Sequence, residues 1–252
     1  MKLLDQVIEK VINKLEYHES PLAAKYRSFI HFAFEIEGIK IPMGDHISPK
    51  VQRAFHYSCY ERPEIETLKS YLASDDVVME LGTGLGLLSI YCAQKIGSDR
   101  IFSYEANPRL EPYIRKNYQL NQVSPSLDIC LLSNTTGEQD FYITKDFWAS
   151  STVPPVHYEV AEVVKVPVKS FDVEVQRIDP TFLIVDIEGG EYSLIENFNL
   201  RNSNICKIMI EIHTMSLSSH EVEALKSKLF NAGFKLVSDY VDIGQEVAFL
   251  QR

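Results

Sequence analysis

The sequence predicts an α/β fold: a seven-stranded, mostly parallel sheet with helices on both faces, carrying a small N-terminal helix and β-hairpin extension. Three observations predict it. From about residue 64 the apolar pattern alternates between strand-like and helix-like runs. The run Val77-Val78-Met79-Glu80-Leu81 breaks into Gly82-Thr83-Gly84-Leu85-Gly86 ahead of a helical stretch. A second run, from Phe182 to Glu188, ends in the pair Gly189-Gly190.

Each element follows in order. In residues 3–16, Leu4, Val7, Ile8, Val11, Ile12 and Leu15 form a helical stripe with mixed charges opposite, a packing helix rather than a membrane one. From His31 to Pro42 apolar residues alternate on both sides of Gly38, the pattern of a β-hairpin. These pieces make an extension over 1–63, and a catalytic domain is expected over 64–252. Strands are expected near 76–81, 100–105, 127–132, 181–187, 206–213, 234–239 and 246–251. A helix over 219–232 is well marked, because Ser218 and Glu221 have capping-box spacing and Gly233 stands just past its end. The stretch from about 138 to 170 interrupts this rhythm and reads as an insertion at the carboxyl ends of the strands, where substrate-selecting elements would lie.

Composition narrows the function. The chain has 252 residues, 45% apolar and 24% charged, enough for one sizeable core. With 35 acids against 25 bases the formal net charge is −10, and no Lys/Arg stripe is visible, which argues against extended nucleic-acid binding. Cys59, Cys92, Cys130 and Cys206 form no CxxC pair and read mostly as buried reduced thiols. No signal-peptide block or 18-residue apolar run appears, so a cytoplasmic location without membrane contact is expected.

The glycine loop carries the cofactor reading. Strand, loop, helix and strand outline a Rossmann-like nucleoside site, and Glu105 ends the second strand. A dinucleotide site needs a glycine where this chain has Leu87, so that a helix N-terminus can approach a pyrophosphate. A nicotinamide-linked oxidoreductase is disfavoured on that ground. Glu80, closing the first strand, would repel phosphate but suits the amino group of a methionine tail. Glu105 suits the hydroxyls of a ribose. Together they favour S-adenosylmethionine, which is cationic at sulfur and carries no phosphate.

Asp186 and Glu188 would share one face of their strand by alternation, and Glu191 would open the next helix. Methyl transfer to an alcohol needs alignment and a base. Asp186, Glu188 and His213 are the candidates, His213 because imidazole titrates near pH 6.5. Asp186, Glu188 and Glu191 offer oxygens suited to Mg²⁺ or Ca²⁺, but their spacing lacks a calcium-loop pattern, and no metal is assigned. Trp148, the only tryptophan, either stacks on a sugar or caps the core.

These residues resemble the FkbM-type methyltransferases of the class I S-adenosylmethionine-dependent fold. The resemblance spans roughly 60 to 215 and rests on Tyr60-Glu61, the glycine motif, Glu105-Ala106-Asn107-Pro108, Asn117, Asn121, Ser150-Ser151, Pro167 to Asp172, Asp186 to Glu191, and Glu211-Ile212-His213. It implies one antiparallel strand in the sheet and S-adenosylmethionine on the glycine loop. By position it implies cofactor contacts from Gly82, Thr83, Gly84, Gly86, Glu105 and Ala106, with Ser133-Asn134 near adenine. It sets Asp186 and Glu188 beside the methyl group, with Tyr60-Glu61 closing the site and Ser150-Ser151 toward the substrate. Family members typically O-methylate hydroxyls of sugars, polyketides and other natural products. This chain has Glu80-Leu81-Gly82-Thr83 where the family more often has an Asp and an Asn-containing loop. The expected substrate is a small-molecule hydroxyl; the alternatives are a small-molecule amine and a non-catalytic S-adenosylmethionine-binding module. Oligomeric state stays open, and the N-terminal helix and hairpin suit a lid or a homodimer contact.

Overall fold

The computed structural model describes residues 33–44, 46–57, 59–154, 159–242 and 244–252. The helix expected over 3–16 and the first two residues of the hairpin lie outside the described residues. Strands β1 (Ala33–Ile36) and β2 (Ile39–Pro42) pair antiparallel. Their turn residues Glu37 and Gly38 both have positive φ, as a type I′ turn requires. Helix α1 (Pro49–His56) starts at Ser48, whose hydroxyl accepts from the Val51 amide, and α2 (Arg62–Tyr71) follows.

The main unit continues with β3 (Val78–Leu81), α3 (Leu87–Ile96), β4 (Ile101–Glu105), α4 (Glu111–Leu120) and β5 (Ser126–Ile129). After β6 (Leu131–Ser133), β7 (Gly137–Thr144) and β8 (Val160–Ser170) come α5 (Phe171–Ile178), β9 (Phe182–Val185) and α6 (Glu191–Asn197). Strand β10 (Lys207–Ile212), α7 (Ser219–Asn231), β11 (Lys235–Asp242) and β12 (Gln245–Gln251) complete the chain. The seven-stranded sheet has the order β11-β12-β10-β9-β3-β4-β5. Every pairing is parallel except those of β12, the one reversed strand.

Two-sided burial explains the apolar runs. Val78, Phe182 and Ile184 join one hydrophobic cluster, while Met79, Leu81, Leu183 and Val185 join another. Alternation along each strand therefore feeds two cores, and a central parallel strand must be apolar at nearly every position. Glu80, buried in the middle of such a strand, is the exception that needs a reason.

The hairpin side of the predicted 63/64 boundary is packed into the same core. Ile39, Ile41, Val51, Phe55 and Tyr60 belong to the cluster that holds α3. Asn121, which caps the end of α4, also bonds the Lys40 backbone twice, accepting from its amide and donating to its carbonyl, each at 2.8 Å.

One expectation needs correction. The strand foreseen over 127–132 is two strands: the chain leaves the main sheet at Cys130, and β6 enters a separate three-stranded sheet ordered β6-β8-β7. An apolar run does not encode which sheet its halves will join. The stretch from 138 to 170, expected as an insertion, is mostly the long hairpin β7-β8, closed over Phe141, Ile143 and Val166. Its eleven-residue second strand alternates partly buried and exposed positions along most of its length, a period-two signal diluted by Glu162 on the inner side.

The expected helix over 219–232 forms as Ser219–Asn231, with both arms of the Ser218/Glu221 capping box made. All four cysteines are free; Cys92 and Cys130 are buried, Cys206 is half-buried and Cys59 is exposed. Among the described residues no helix is long and apolar enough to cross a membrane.

Candidate active site

Chain order reverses direction across the sheet at β3, with β4 on one side and β9 on the other, so a crevice opens at the carboxyl ends of these strands. It is a cleft of about 1100 Å³ including its open mouth. The floor carries Gly82, Gly84, Glu105, Asp186 and Glu188; Tyr60, Glu61, Phe147 and Trp148 wall one side. Leu131, Ser133 and Phe141 come from the small sheet. Among the described residues lining it there is no Lys or Arg.

The glycine loop is fixed from beneath. Gly82 has φ 83°, and a Cβ there would stand 1.6 Å from the Asp186 carbonyl oxygen. Only glycine lets the two strand ends approach so closely. The Gly84 amide donates to Glu105 Oε2 at 2.9 Å, and the Asn107 amide donates to Oε1 at 2.7 Å. Burial raises the Glu105 pKa to about 7 even though both amides oppose the rise.

Glu80 does not face the cleft. Its Oε2 accepts from the Thr83 hydroxyl at 2.5 Å, and that hydroxyl lies 3.2 Å from Ser89 Oγ, which in turn lies 2.8 Å from the Tyr118 hydroxyl. Burial raises its pKa, and surrounding hydroxyls pull the other way. Glu80 thus anchors the loop from inside the core and is not among the residues lining the cleft, where a contact with a ligand amino group was expected. Thr83 and Gly86 lie in the same layer, off the cleft surface. An acid at a strand end can point to either side of the loop, and sequence does not say which.

The opposite wall is a cluster of acids around one imidazole. Strand β9 ends at Val185, so Asp186 and Glu188 are not strand neighbours on one face as expected; Glu188 sits in a left-handed turn with φ 51°. That conformation is uncommon for a non-glycine residue and concentrates at functional sites. Glu61 shares it, with φ 47°. Both acids still reach the cleft.

His213, just past β10, donates or accepts through Nδ1 at 2.8 Å from Glu191 Oε1. Its Nε2 stands 3.4 Å from Glu188 Oε2, 3.6 Å from Glu211 Oε1 and 3.7 Å from Asp186 Oδ1. Burial alone would lower the His213 pKa, but the Glu191 hydrogen bond and the surrounding carboxylates raise it to about 11. The surrounding carboxylates thus favour the charged ring, which weighs against the expected role of His213 as the base. Burial raises the pKa values of Asp186, Glu188 and Glu211, and the His213 charge offsets part of each rise. Glu191 is fully buried, its Oε1 also accepting from the Gly189 amide at 2.8 Å.

Of the remaining predicted residues, Tyr60, Glu61, Ala106, Ser133, Trp148 and Ser150 line the cleft, while Asn134 and Ser151 do not. Ser133 Oγ donates to Asn134 Oδ1 at 3.1 Å. Ser150 Oγ accepts from the Thr144 amide at 3.1 Å. Ser151 Oγ donates to the Glu188 carbonyl at 3.0 Å, so it holds the acid's turn rather than facing a substrate. Trp148 both lines the cleft and packs beside Tyr60, ring centroids 6.4 Å apart. Sequence reasoning assigned no role to Glu211, Phe147 or Phe141. Glu211 was legible as the alternate-position partner of His213; the two aromatics gave no signal apart from ordinary core residues.

The model of the "Methyltransferase FkbM domain" family matches residues 83–236, more than half of the chain. The chain belongs to the FkbM methyltransferase family. Its cofactor is accordingly S-adenosylmethionine. An inferred protein N5-glutamine methyltransferase of Methanocaldococcus jannaschii is 34% identical over 110 residues, 42% of this chain and 49% of that protein. A ribosomal protein L11 methyltransferase of Bacillus licheniformis is 33% identical over 82 residues, 31% of this chain and 26% of that one. The chain thus spans half or less of the length of these curated relatives. Among solved structures, the precorrin-6y C5,15-methyltransferase of Geobacter metallireducens aligns with 75% of this chain and 86% of its own, at 16% identity and a TM-score of 0.44.

Proposed function

We propose that this FkbM-family chain transfers the methyl group of S-adenosylmethionine to a hydroxyl of a small molecule. The observation that carries the reading is one cleft bounded by the Gly82–Gly84 loop and Glu105 at one end and by Asp186 and Glu188 at the other. The residues present fit the cofactor. Glu105 would offer its carboxylate to a ribose diol, the loop backbone would face a methionine tail, and Ala106 and Ser133 would flank adenine. A wall without Lys or Arg suits a ligand without phosphate.

When bound, the cofactor supplies an electrophilic methyl carbon whose bonding pair leaves with sulfur. The chain's own work is alignment and proton removal. Tyr60, Phe147 and Trp148 exclude water above the reacting atoms, and the 147–152 segment shapes the acceptor space. Glu188, exposed to the cleft and held by Ser151 through its carbonyl, accepts the hydroxyl proton as the new O–C bond forms. Asp186 and the imidazolium of His213 set the charge around it. The size of the cleft and the absence of a basic track favour a small acceptor over nucleic acid.

The same acids favour one second reading. A protonated amine would be drawn to the carboxylates, lose its proton there and be methylated at nitrogen. Incubation with labelled S-adenosylmethionine and a panel of sugar, polyketide and amine acceptors separates the two by the position of the label. Calorimetry finding no binding of either S-adenosylmethionine or its demethylated product would sink both.

A further inference from the structure

Beneath the acceptor end of the cleft, the acids outnumber their cations in a way the methyl-transfer reading leaves unexplained. Asp186, Glu188, Glu191 and Glu211 all place an oxygen within 4 Å of the single imidazole of His213. Glu191 is fully buried, and the side chain of Glu211 is 12% exposed. Lys50 stands 5.5 Å from the Trp148 ring and acts on Glu188 from a distance.

Two atoms point to a missing ligand. Asp186 Oδ1 is buried and without a hydrogen-bond partner. His213, nine-tenths buried, directs Nε2 at three carboxylate oxygens from 3.4 to 3.7 Å, beyond the usual N–H···O range of about 2.7–3.2 Å. A buried polar atom left without a partner costs about 1–3 kcal/mol unless something binds it.

We propose that Asp186, Glu211 and His213 form a binding site for a divalent cation of the magnesium–manganese class. One ligand atom from each of these three residues lies within 4.8 Å of the others. Neighbouring ligands of an octahedral ion at about 2.1 Å are about 3.0 Å apart, so the 3.6 and 3.7 Å separations of Nε2 from Glu211 Oε1 and Asp186 Oδ1 must shorten by about 0.6–0.7 Å as the ion enters. Glu191 completes the design from outside. Its bond to Nδ1 fixes the ring with Nε2 facing inward, as second-sphere carboxylates do for metal-bound histidines. Oxygen donors with one imidazole suit a hard ion, and two carboxylates beside one neutral ring balance its charge. A metal ion and a proton compete for the same Nε2 lone pair, so binding is expected to strengthen as pH rises.

Resting on the hydroxyl-methylation reading, the ion would touch the acceptor oxygen from the side of Asp186, lower its pKa and orient it. Glu188 is then free to take the released proton.

The test is calorimetric titration of the full chain with Mn²⁺ alone, followed by S-adenosylhomocysteine in the same sample. One saturable Mn²⁺ site is expected, weakened about tenfold or more in Glu211→Gln. Spin-echo spectra of bound Mn²⁺ should carry a histidine nitrogen coupling that vanishes in His213→Gln. Wild-type protein that binds no Mn²⁺ at millimolar concentration, or Glu211→Gln that is folded and binds unchanged, overturns the metal site. If S-adenosylhomocysteine still binds in that case, the methyltransferase reading survives it. Mn²⁺ binding without S-adenosylhomocysteine binding is the reverse result.

Discussion

The two ends of the cleft treat their carboxylates in opposite ways. At the glycine-loop end, Glu105 accepts from two backbone amides and Glu80 from a buried hydroxyl chain, so each acid is satisfied by the fold itself. At the other end, Asp186, Glu188 and Glu211 crowd one imidazole at ion-pair distances, and Asp186 keeps an orphan oxygen. The difference separates a preorganised cradle from a site that is complete only with something bound. Evenly satisfied acids rigidify a loop; unsatisfied ones store an affinity for positive charge.

Four measurements break or sharpen that contrast. The largest effect is expected from Glu188→Gln, which removes a proton acceptor while keeping shape: kcat should fall about 10²- to 10⁴-fold with cofactor affinity unchanged. Equal losses in both would place Glu188 in the cofactor cradle and erase the division.

Gly82→Ala should damage both ends together, since its Cβ meets the Asp186 backbone. A displacement of about 1 Å costs roughly 100-fold in turnover, and cofactor binding by calorimetry should weaken as well. Unchanged kinetics would mean that the strand ends are not tightly coupled.

Glu105→Gln tests the cradle alone. Loss of a charged acceptor for ribose should raise the Kd for S-adenosylhomocysteine about tenfold, one hydrogen bond to a charged group being about 1.5–3 kcal/mol. It also has a pH signature. Burial holds the Glu105 pKa at about 7 against an ordinary 4.5, so the folded state keeps a proton that the unfolded chain has lost. Its contribution to stability is fully present below about pH 4.5 and disappears as pH rises through about 7. Urea unfolding at pH 5 and pH 8 should show a smaller pH difference in Glu105→Gln than in the wild type.

The smallest effect serves as a control outside both ends. Ser218→Ala removes the capping box of α7 and should cost about 1 kcal/mol in urea unfolding, with kcat and affinity untouched.

Much of the fold was readable because its signals are local. Six of the seven expected strands formed within a few residues of their predicted positions; the seventh, over 127–132, divided at Cys130 between two sheets. The glycine spacing, Glu105 and Asp186 placed the cleft on the right strand ends. What sequence misjudged was direction. Glu80 turned inward, Ser151 turned to the Glu188 backbone, and His213 came to lie among four carboxylates, because each outcome depends on neighbours brought from elsewhere in the chain.

By itself, then, the sequence determined the layered α/β frame, the order of its main elements and the kind of cofactor its glycine loop admits, since these follow from periodicity, turn chemistry and strand-end residues. Only the tertiary structure decided how charge is distributed across the cleft. Four acids spread from Asp186 to Glu211 become one electrostatic unit only when β9 and β10 lie side by side and α6 folds Glu191 beneath them. Electrostatic energy depends on distance and burial through space, and neither is written in the spacing of residues along a chain.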